Sequence, residues 1–470
     1  MPATRAVVTR PSRLRSALVI LLSLALAAAL GTTAVVLIDR GSEPGLLQPI
    51  VALPEPVLPD LTLPAPALTD DLGDEPLPDP AVLATALAPA LADRRLGGRL
   101  LARVVDVTDG QILFDSGGDQ PTTPASNLKL LTAFAALTTL DPGLRLQTRV
   151  VVGEAPGQIV LVGGGDPTLS RTAPSLSYPE AATVIDLAEQ VLDKSGGQIT
   201  AIVVDGSLYT GPTVSPEWRT GDAPSTYAAP ITAAMVDGGR SSAGSRSRSS
   251  TPDLDAGAAL AAALGLPDLP VIAGVAPPTA ELIAEVDSAP VSRLVETMLA
   301  FSDNMVAESL ARQVAIARGK SADFAGAAAA VSEAVAAAGL DVTGMQILDG
   351  SGLAAQNSVT PKLLTDLLRA VAIEDADPRL AAIASGLAVA GYDGTLFERY
   401  AGGPAVGAGS VRAKSGTLNG VNALSGYVVT ADGRVLAFAL IADQLPAGPL
   451  IGGEPVLDAV AGILAACGCR

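Results

Sequence analysis

Ser126 and Lys129 stand three residues apart in the string Pro124-Ala125-Ser126-Asn127-Leu128-Lys129. On a helical turn this spacing puts both side chains on one face, close enough for an amine to take the hydroxyl proton. A positive helix end beneath Ser126 would favour the alkoxide that forms there. The need for a lysine follows from what the chain lacks: its 470 residues include no histidine. Ser-His-Asp triads, Cys-His dyads and His-ligated zinc are excluded, so any hydroxyl nucleophile is activated by another base. The two cysteines, Cys467 and Cys469, lie one residue apart, which excludes a cysteine-rich metal scaffold and argues against a catalytic thiol. In an oxidising compartment they would form a local disulfide or pair elsewhere.

Lysine is scarce, with five in all: Lys129, Lys194, Lys320, Lys362 and Lys414. Two of them fall in strings suited to chemistry. Ser302-Asp303-Asn304 interrupts a helical region and offers a hydroxyl to relay a proton and a carboxamide to hold a peptide amide. Asp303 reads as a brace for that loop. Lys414-Ser415-Gly416-Thr417 presents a cation and two hydroxyls able to bind a carboxylate, with a glycine that lets a substrate lie against a strand edge. Each string alone is common; the three in this order, in these settings, are not.

The elements that must position them follow from pattern. LLARVVDV and QILFD, joined across Asp109-Gly110, read as a hairpin. Thr123 as N-cap and Pro124 at the first helical position open the helix carrying Ser126. From about Arg145 to Ala280 the texture is mixed: strands in VVVG, QIVLVGGG and QITAIVVDG, a helix over Ala181–Lys194, and a Ser/Arg/Gly-rich stretch, Gly238 to Thr251, expected as a solvated loop. Helices resume at Ala289, and Thr360-Pro361 starts another. Three strands with turns at Asn419-Gly420 and Asp432-Gly433 form a meander, and an apolar helix over Val456–Ala466 follows. The fold class is α+β: an antiparallel sheet flanked by helices, with an inserted mixed α/β domain. Domain boundaries are expected at 81–144 and 281–470 for the catalytic part and 145–280 for the insertion.

The net charge is −18, and five Arg against one Asp in residues 1–40 leave −22 for the remainder. So acidic a body excludes nucleic acid as a partner. Arg5, Arg10, Arg13 and Arg15 precede a charge-free stretch from Ser16 to Ile38. As a helix it would span roughly 34 Å, enough for a hydrocarbon core of about 30 Å. The charge bias predicts residues 1–15 as a cytoplasmic tail, 16–38 as a transmembrane anchor and the rest outside the cell membrane. Ala27–Ala29 offer the alternative of a cleaved signal peptide. Residues 39–80 form a Pro-rich acidic linker, with ten Pro and eight Asp or Glu between Gly41 and Pro80.

The strings SNLK, SDN and KSGT resemble the Ser-x-x-Lys, Ser-x-Asn and Lys-Thr-Gly motifs of penicillin-binding proteins and serine β-lactamases. More narrowly, PASNLKLLTAFAAL, VGGGDPTLS, SDNMVAESLAR, DGSGLAAQNSVTP and KSGTLNGVNALSGYV resemble the D-alanyl-D-alanine carboxypeptidases of peptidase family S13, over residues 81–470. The separation of 176 positions from Ser126 to Ser302 suits a family with inserted domains. The resemblance implies a β-lactamase/transpeptidase-like fold and a peptidoglycan stem peptide ending in D-Ala-D-Ala as substrate. It implies Ser126 as nucleophile, Lys129 as base, backbone N–H groups of Ser126 and Thr417 as oxyanion hole, and Ser302 with Lys414 as proton donors. Asn304 would order Lys129 and hold substrate; Lys414, Ser415, Gly416 and Thr417 would receive its carboxylate. β-Lactams would be trapped on Ser126, and neither metal nor organic cofactor is implied.

Two departures stand out. Ser415 replaces the usual Thr, and the insertion suggests one extra domain rather than two. Asp349-Gly350-Ser351-Gly352 reads as a turn supporting the site, and Gly163–Asp166 as a turn rather than a phosphate loop. Trp218 and Tyr227 suit either substrate contact or packing. D,D-endopeptidase cleavage would use the same site on a longer substrate. The alternatives are a catalytically weak wall-binding or β-lactam-binding module and, further off, a β-lactamase.

Overall fold

A computed structural model describes residues 75–194, 198–373, 375–400, 406–446 and 452–468. The expected membrane span, 16–38, and all but the last residues of the linker lie outside them. Among the described residues no helix is long and apolar enough to cross a membrane.

Apolar alternation builds the first sheet. Helix α1 (Pro80–Leu91), capped by Asp79, precedes β1 (Leu100–Asp106) and β2 (Ile112–Ser116), the hairpin read from Asp109-Gly110. Helix α2 (Lys129–Thr139) follows, and then the insertion: β3 (Gln147–Val152), β4 (Gln158–Val162), α3 (Val184–Lys194), β5 (Ala201–Asp205), α4 (Pro252–Ala263), β6 (Val271–Gly274) and β7 (Leu282–Asp287). Five helices come next: α5 (Val291–Phe301), α6 (Asn304–Ala317), α7 (Phe324–Ala337), α8 (Pro361–Ala372) and α9 (Ala381–Gly386). The two-residue β8 (Ala388–Val389), the meander β9 (Val411–Leu418), β10 (Val421–Val429) and β11 (Val435–Ala442), and α10 (Glu454–Ala466) complete the described chain.

The first sheet has the order β2-β1-β11-β10-β9-β8 and is antiparallel throughout. Both of its faces are covered. Ala437, Ala439 and Ile441 of β11 pack against α2 and α5–α8, while Leu436, Phe438 and Leu440 pack against α1 and α10. Period-two alternation with apolar residues on both faces produces this central strand.

The insertion forms a second sheet, β6-β5-β4-β3-β7, parallel from β4 to β6 and antiparallel at β3. Its α3 and α4 bury Ile159, Leu161, Ile202 and Val204. Strand β7 pairs with β3 and so belongs to this sheet, although it lies past residue 280. Residues Ala67–Arg470 cluster as one unit, so the insertion packs onto the sheet–helix body.

Candidate active site

The nucleophile turn is not the helix start that Thr123 suggested. Residues Ala125–Leu128 form a 3-10 turn, and the α-helix begins only at Lys129. Thr123 does not cap it; its hydroxyl donates to the Ala355 carbonyl at 2.9 Å. The cause is Ala125, whose φ of +49° lies in the left-handed region and breaks the helical path just before Ser126. The 3-10 turn nevertheless serves the chemistry, because residues at i and i+3 eclipse one another in it. Lys129 Nζ accordingly lies 3.1 Å from Ser126 Oγ.

Two further elements converge on Lys129. Its ammonium also donates to Asn304 Oδ1 at 2.6 Å and to the Ser351 carbonyl at 2.7 Å. Asn304 opens α6, immediately after a chain reversal at Ser302, a non-glycine residue at φ +55° that ends α5. Asp303 caps α6 through backbone N–H groups of Met305 and Val306, confirming its reading as a brace. The Asp349–Gly352 turn likewise supports the site rather than reacting. Gly352 is demanded there: it sits at φ +83°, and a Cβ would lie 2.0 Å from the Ala125 carbonyl.

The third motif arrives on β9. Beyond Ala413 this strand has β10 on one side and, among the described residues, no strand on the other, because β8 pairs only with Ala413 and Arg412. The edge from Lys414 to Leu418 is open for a substrate backbone. Gly416 allows the close approach: a Cβ would stand 3.2 Å from the Ser126 amide nitrogen. The Ser415 hydroxyl donates to Thr395 Oγ1 at 2.8 Å, and that of Thr417 to Glu454 Oε1 at 2.6 Å.

Ser126, Ser302, Asn304, Ser415 and Thr417 line one cavity of about 540 Å³. Lys129, Lys414 and Gly416 stand behind its wall. All eight residues singled out by sequence thus converge on one place. Trp218 and Tyr227 separate by role: Trp218 Nε1 is buried and donates to Asp349 Oδ2 at 2.9 Å, whereas the Tyr227 side chain is exposed and borders the cavity.

The electrostatics follow from burial and neighbours. Complete burial pushes Lys129 down from the usual lysine value, Asp349, Asp303 and Glu308 push back, and it settles at about 8. Lys414, equally buried, donates to the Ser415 carbonyl at 2.7 Å. Burial, Lys129 and Arg399 all push it the same way, well below the usual lysine value.

Sequence reasoning missed several residues. Glu308, four residues after Asn304 and one helical turn further along α6, accepts from the backbone N–H groups of Gly350 and Ser351 at 3.0 and 2.9 Å. Burial and Asp349 push its carboxyl up to about 7, against the pull of Arg312. The spacing from Asn304 to Glu308 was the available signal. Arg399 and Glu454 border the cavity near Thr417, and Arg399 pairs with Asp458 at 2.6 Å. Most of the Gly238–Thr251 stretch is at least partly solvent-exposed, as expected, yet Arg240 and Arg248 border the cavity, where each finds the buried Asp303 carboxylate. Among the described residues no cluster of three or more His, Cys, Asp or Glu side chains is arranged to hold a metal ion.

This constellation agrees with what the chain is similar to. The family model for the D-Ala-D-Ala carboxypeptidase 3 (S13) family matches residues 83–247 and 242–449. A carboxypeptidase of Mycobacterium tuberculosis is 42% identical over 404 residues, covering 83% of this chain and 85% of that protein. Carboxypeptidase DacB of Mycolicibacterium smegmatis is 42% identical over 403 residues, covering 84% and 86%. Among solved structures, penicillin binding protein 4 (DacB) of Haemophilus influenzae shares the fold at a TM-score of 0.66 and 21% identity, over 81% of this chain and 98% of that one. The chain belongs to the D-Ala-D-Ala carboxypeptidase (S13) family.

Proposed function

We propose that the protein is a serine D-Ala-D-Ala carboxypeptidase that cleaves peptidoglycan stem peptides through an acyl-enzyme on Ser126 and is acylated there by β-lactams. One observation carries the assignment of roles. Lys129 Nζ lies within hydrogen-bond reach of Ser126 Oγ and Asn304 Oδ1, with its basicity lowered to about 8. A base poised near neutral pH is what hydroxyl activation requires.

The substrate lies along the open edge of β9. Neutral Lys129 takes the proton of Ser126, and Oγ attacks the carbonyl carbon of the penultimate D-Ala. Backbone N–H groups of Ser126 and Thr417 receive the developing oxyanion; the Gly416 approach brings these two backbones together. As the tetrahedral carbon collapses, Ser302 passes a proton to the departing amine and is reprotonated from the Lys129 ammonium, so that D-Ala leaves and Lys129 is neutral again. Water, deprotonated by Lys129, then hydrolyses the ester and frees Ser126. A β-lactam forms the same ester, but its leaving group stays tethered.

The hydroxyls of Ser415 and Thr417 receive the terminal carboxylate, Thr417 giving up Glu454 to do so, with the Arg399 guanidinium at the same end. Lys414, behind the wall and short of acceptors, suits proton transfer better than carboxylate binding. A stem pentapeptide incubated with the protein releases D-Ala on this account. Absence of both D-Ala release and cleavage of a cross-linked dimer would sink it.

Residues 16–38 anchor the protein in the cell membrane with its catalytic part outside; the charge-free stretch behind four Arg supports this. Alkaline extraction of membranes tests it, since an anchored chain stays with the pellet and a cleaved one does not.

A further inference from the structure

The insertion meets the catalytic motif at two adjacent residues, and at the first of them, Asp303, the two carboxylate oxygens face opposite ways. Asp303 Oδ1 serves α6, accepting from Met305 N at 2.8 Å and Val306 N at 3.1 Å. Asp303 Oδ2 serves the insertion: Tyr178 Oη donates to it at 2.9 Å, Arg248 Nη2 lies 3.7 Å away and Arg240 Nη2 4.0 Å away. The Asp303 and Arg248 side chains are only 5% and 6% exposed. Both guanidiniums are held by nearby backbone: Arg240 Nη1 donates to the Asp237 carbonyl at 2.7 Å and Arg248 Nη1 to the Gly238 carbonyl, while the two residues pair through their main chains in a β-bridge. The next residue, Asn304, takes a hydrogen bond from Lys129 and donates through Nδ2 to the Tyr227 carbonyl at 3.2 Å, again on the insertion. The charges balance in part, since Arg248 and Arg240 hold the Asp303 carboxyl below its usual value although burial pushes it up.

We infer that Arg248 and Arg240, with Tyr178, are positioning residues for the reaction: through Asp303 they lock the first turn of α6 so that Asn304 meets Lys129, and they mask part of the negative charge that Lys129 faces. This rests on the reading of Lys129 as the base. Lys129 is flanked by Asp303 at the start of α6, Glu308 further along it, Asp349 on the supporting turn and Lys414 on β9. Removing Arg248 unmasks Asp303 and makes Lys129 more basic. Removing the charge of Asp303 makes Lys129 less basic. A role confined to holding the fold together would give no such opposition.

The test is the second-order rate of penicillin acylation against pH, on the full chain and its variants, with Tm recorded for each. Arg248→Met moves the acid limb to higher pH and Asp303→Asn moves it to lower pH, each by roughly half a unit for a charge one residue removed from the reacting groups. The double variant returns towards the wild-type limb, and Arg248→Lys restores it. Asn caps helices as well as Asp does, so Asp303→Asn keeps α6 intact. Should Arg248→Met fail to fold, Asp303→Asn and Arg248→Lys carry the comparison. A limb that stays at one pH in Asp303→Asn and Arg248→Met, whatever the rates do, overturns the inference. A wild-type enzyme that acylates with no acid limb, or not at all, removes the Lys129 assignment and this inference with it.

Discussion

Lys129 and Lys414 are both fully buried, yet their surroundings differ in kind. Lys129 sits among three carboxylates, with three acceptors for its ammonium. Lys414 stands on a strand edge, donating to the Ser415 backbone carbonyl, with the cations Lys129 and Arg399 as neighbours. The first keeps a pKa near working pH, at about 8; the second is pushed well below the usual lysine value by burial and by the Lys129 and Arg399 charges. Residue type and burial alone therefore do not set a lysine's basicity, because the neighbouring charges differ; the proposed roles, base for Lys129 and relay for Lys414, rest on that difference. The wall formed by α6 and the insertion is a web of paired charge. The β9 wall is hydroxyls and backbone.

The sharpest way to break this contrast is Lys129→Ala, which lowers penicillin acylation by about 10³- to 10⁴-fold, the upper range for a lost general base. Lys129→Arg does not rescue it, because a guanidinium keeps its proton. In the wild type the acylation rate climbs as pH rises through about 8, where Lys129 loses its proton.

Lys414 behaves differently. Lys414→Arg forces a permanent charge into a buried site beside the cations Lys129 and Arg399 and costs about 3 kcal/mol or more, visible as a large fall in Tm. Lys414→Met leaves Tm near wild type while D-Ala release falls about 10- to 100-fold, a proton relay's share.

Glu308→Gln is a gentler test of the charged wall. Its folded pKa of about 7 lies above the ordinary 4.5, so the group binds its proton more tightly when folded. Its stabilising contribution is full below about pH 4.5 and is lost as pH rises through 7. The Tm of the wild type therefore declines relative to Glu308→Gln across that window; parallel curves would contradict the placement. Ser415→Thr, which restores a methyl beside an unchanged hydroxyl, alters kcat/KM by less than about threefold, below one hydrogen bond's worth.

The legible part of the site is the part written in contiguous strings. Ser126 with Lys129, Ser302 with Asn304, and Lys414 to Thr417 each owe their geometry to one turn or one strand, so spacing exposed them. The hairpin at Asp109-Gly110, the Thr360 cap, which accepts from Leu363 N at 3.0 Å, and the meander were legible for the same local reason. The Thr123 cap was not, because left-handed backbone at Ala125 breaks the helical path, and the close neighbour of its carbonyl, Gly352, lies more than two hundred residues away. Arg248 was not either: a Ser/Arg/Gly string reads as solvated until a buried Asp303 is placed beside it. Such partners meet only through topology, and a single sequence carries no local sign of them.

The central claim is that Ser126 is the nucleophile, and mass spectrometry of the intact protein after exposure to penicillin tests it most directly. The account predicts one adduct per chain, located on the Ser126 peptide and absent from Ser126→Ala. An adduct on any other residue, or an unmodified protein beside intact antibiotic, would contradict it.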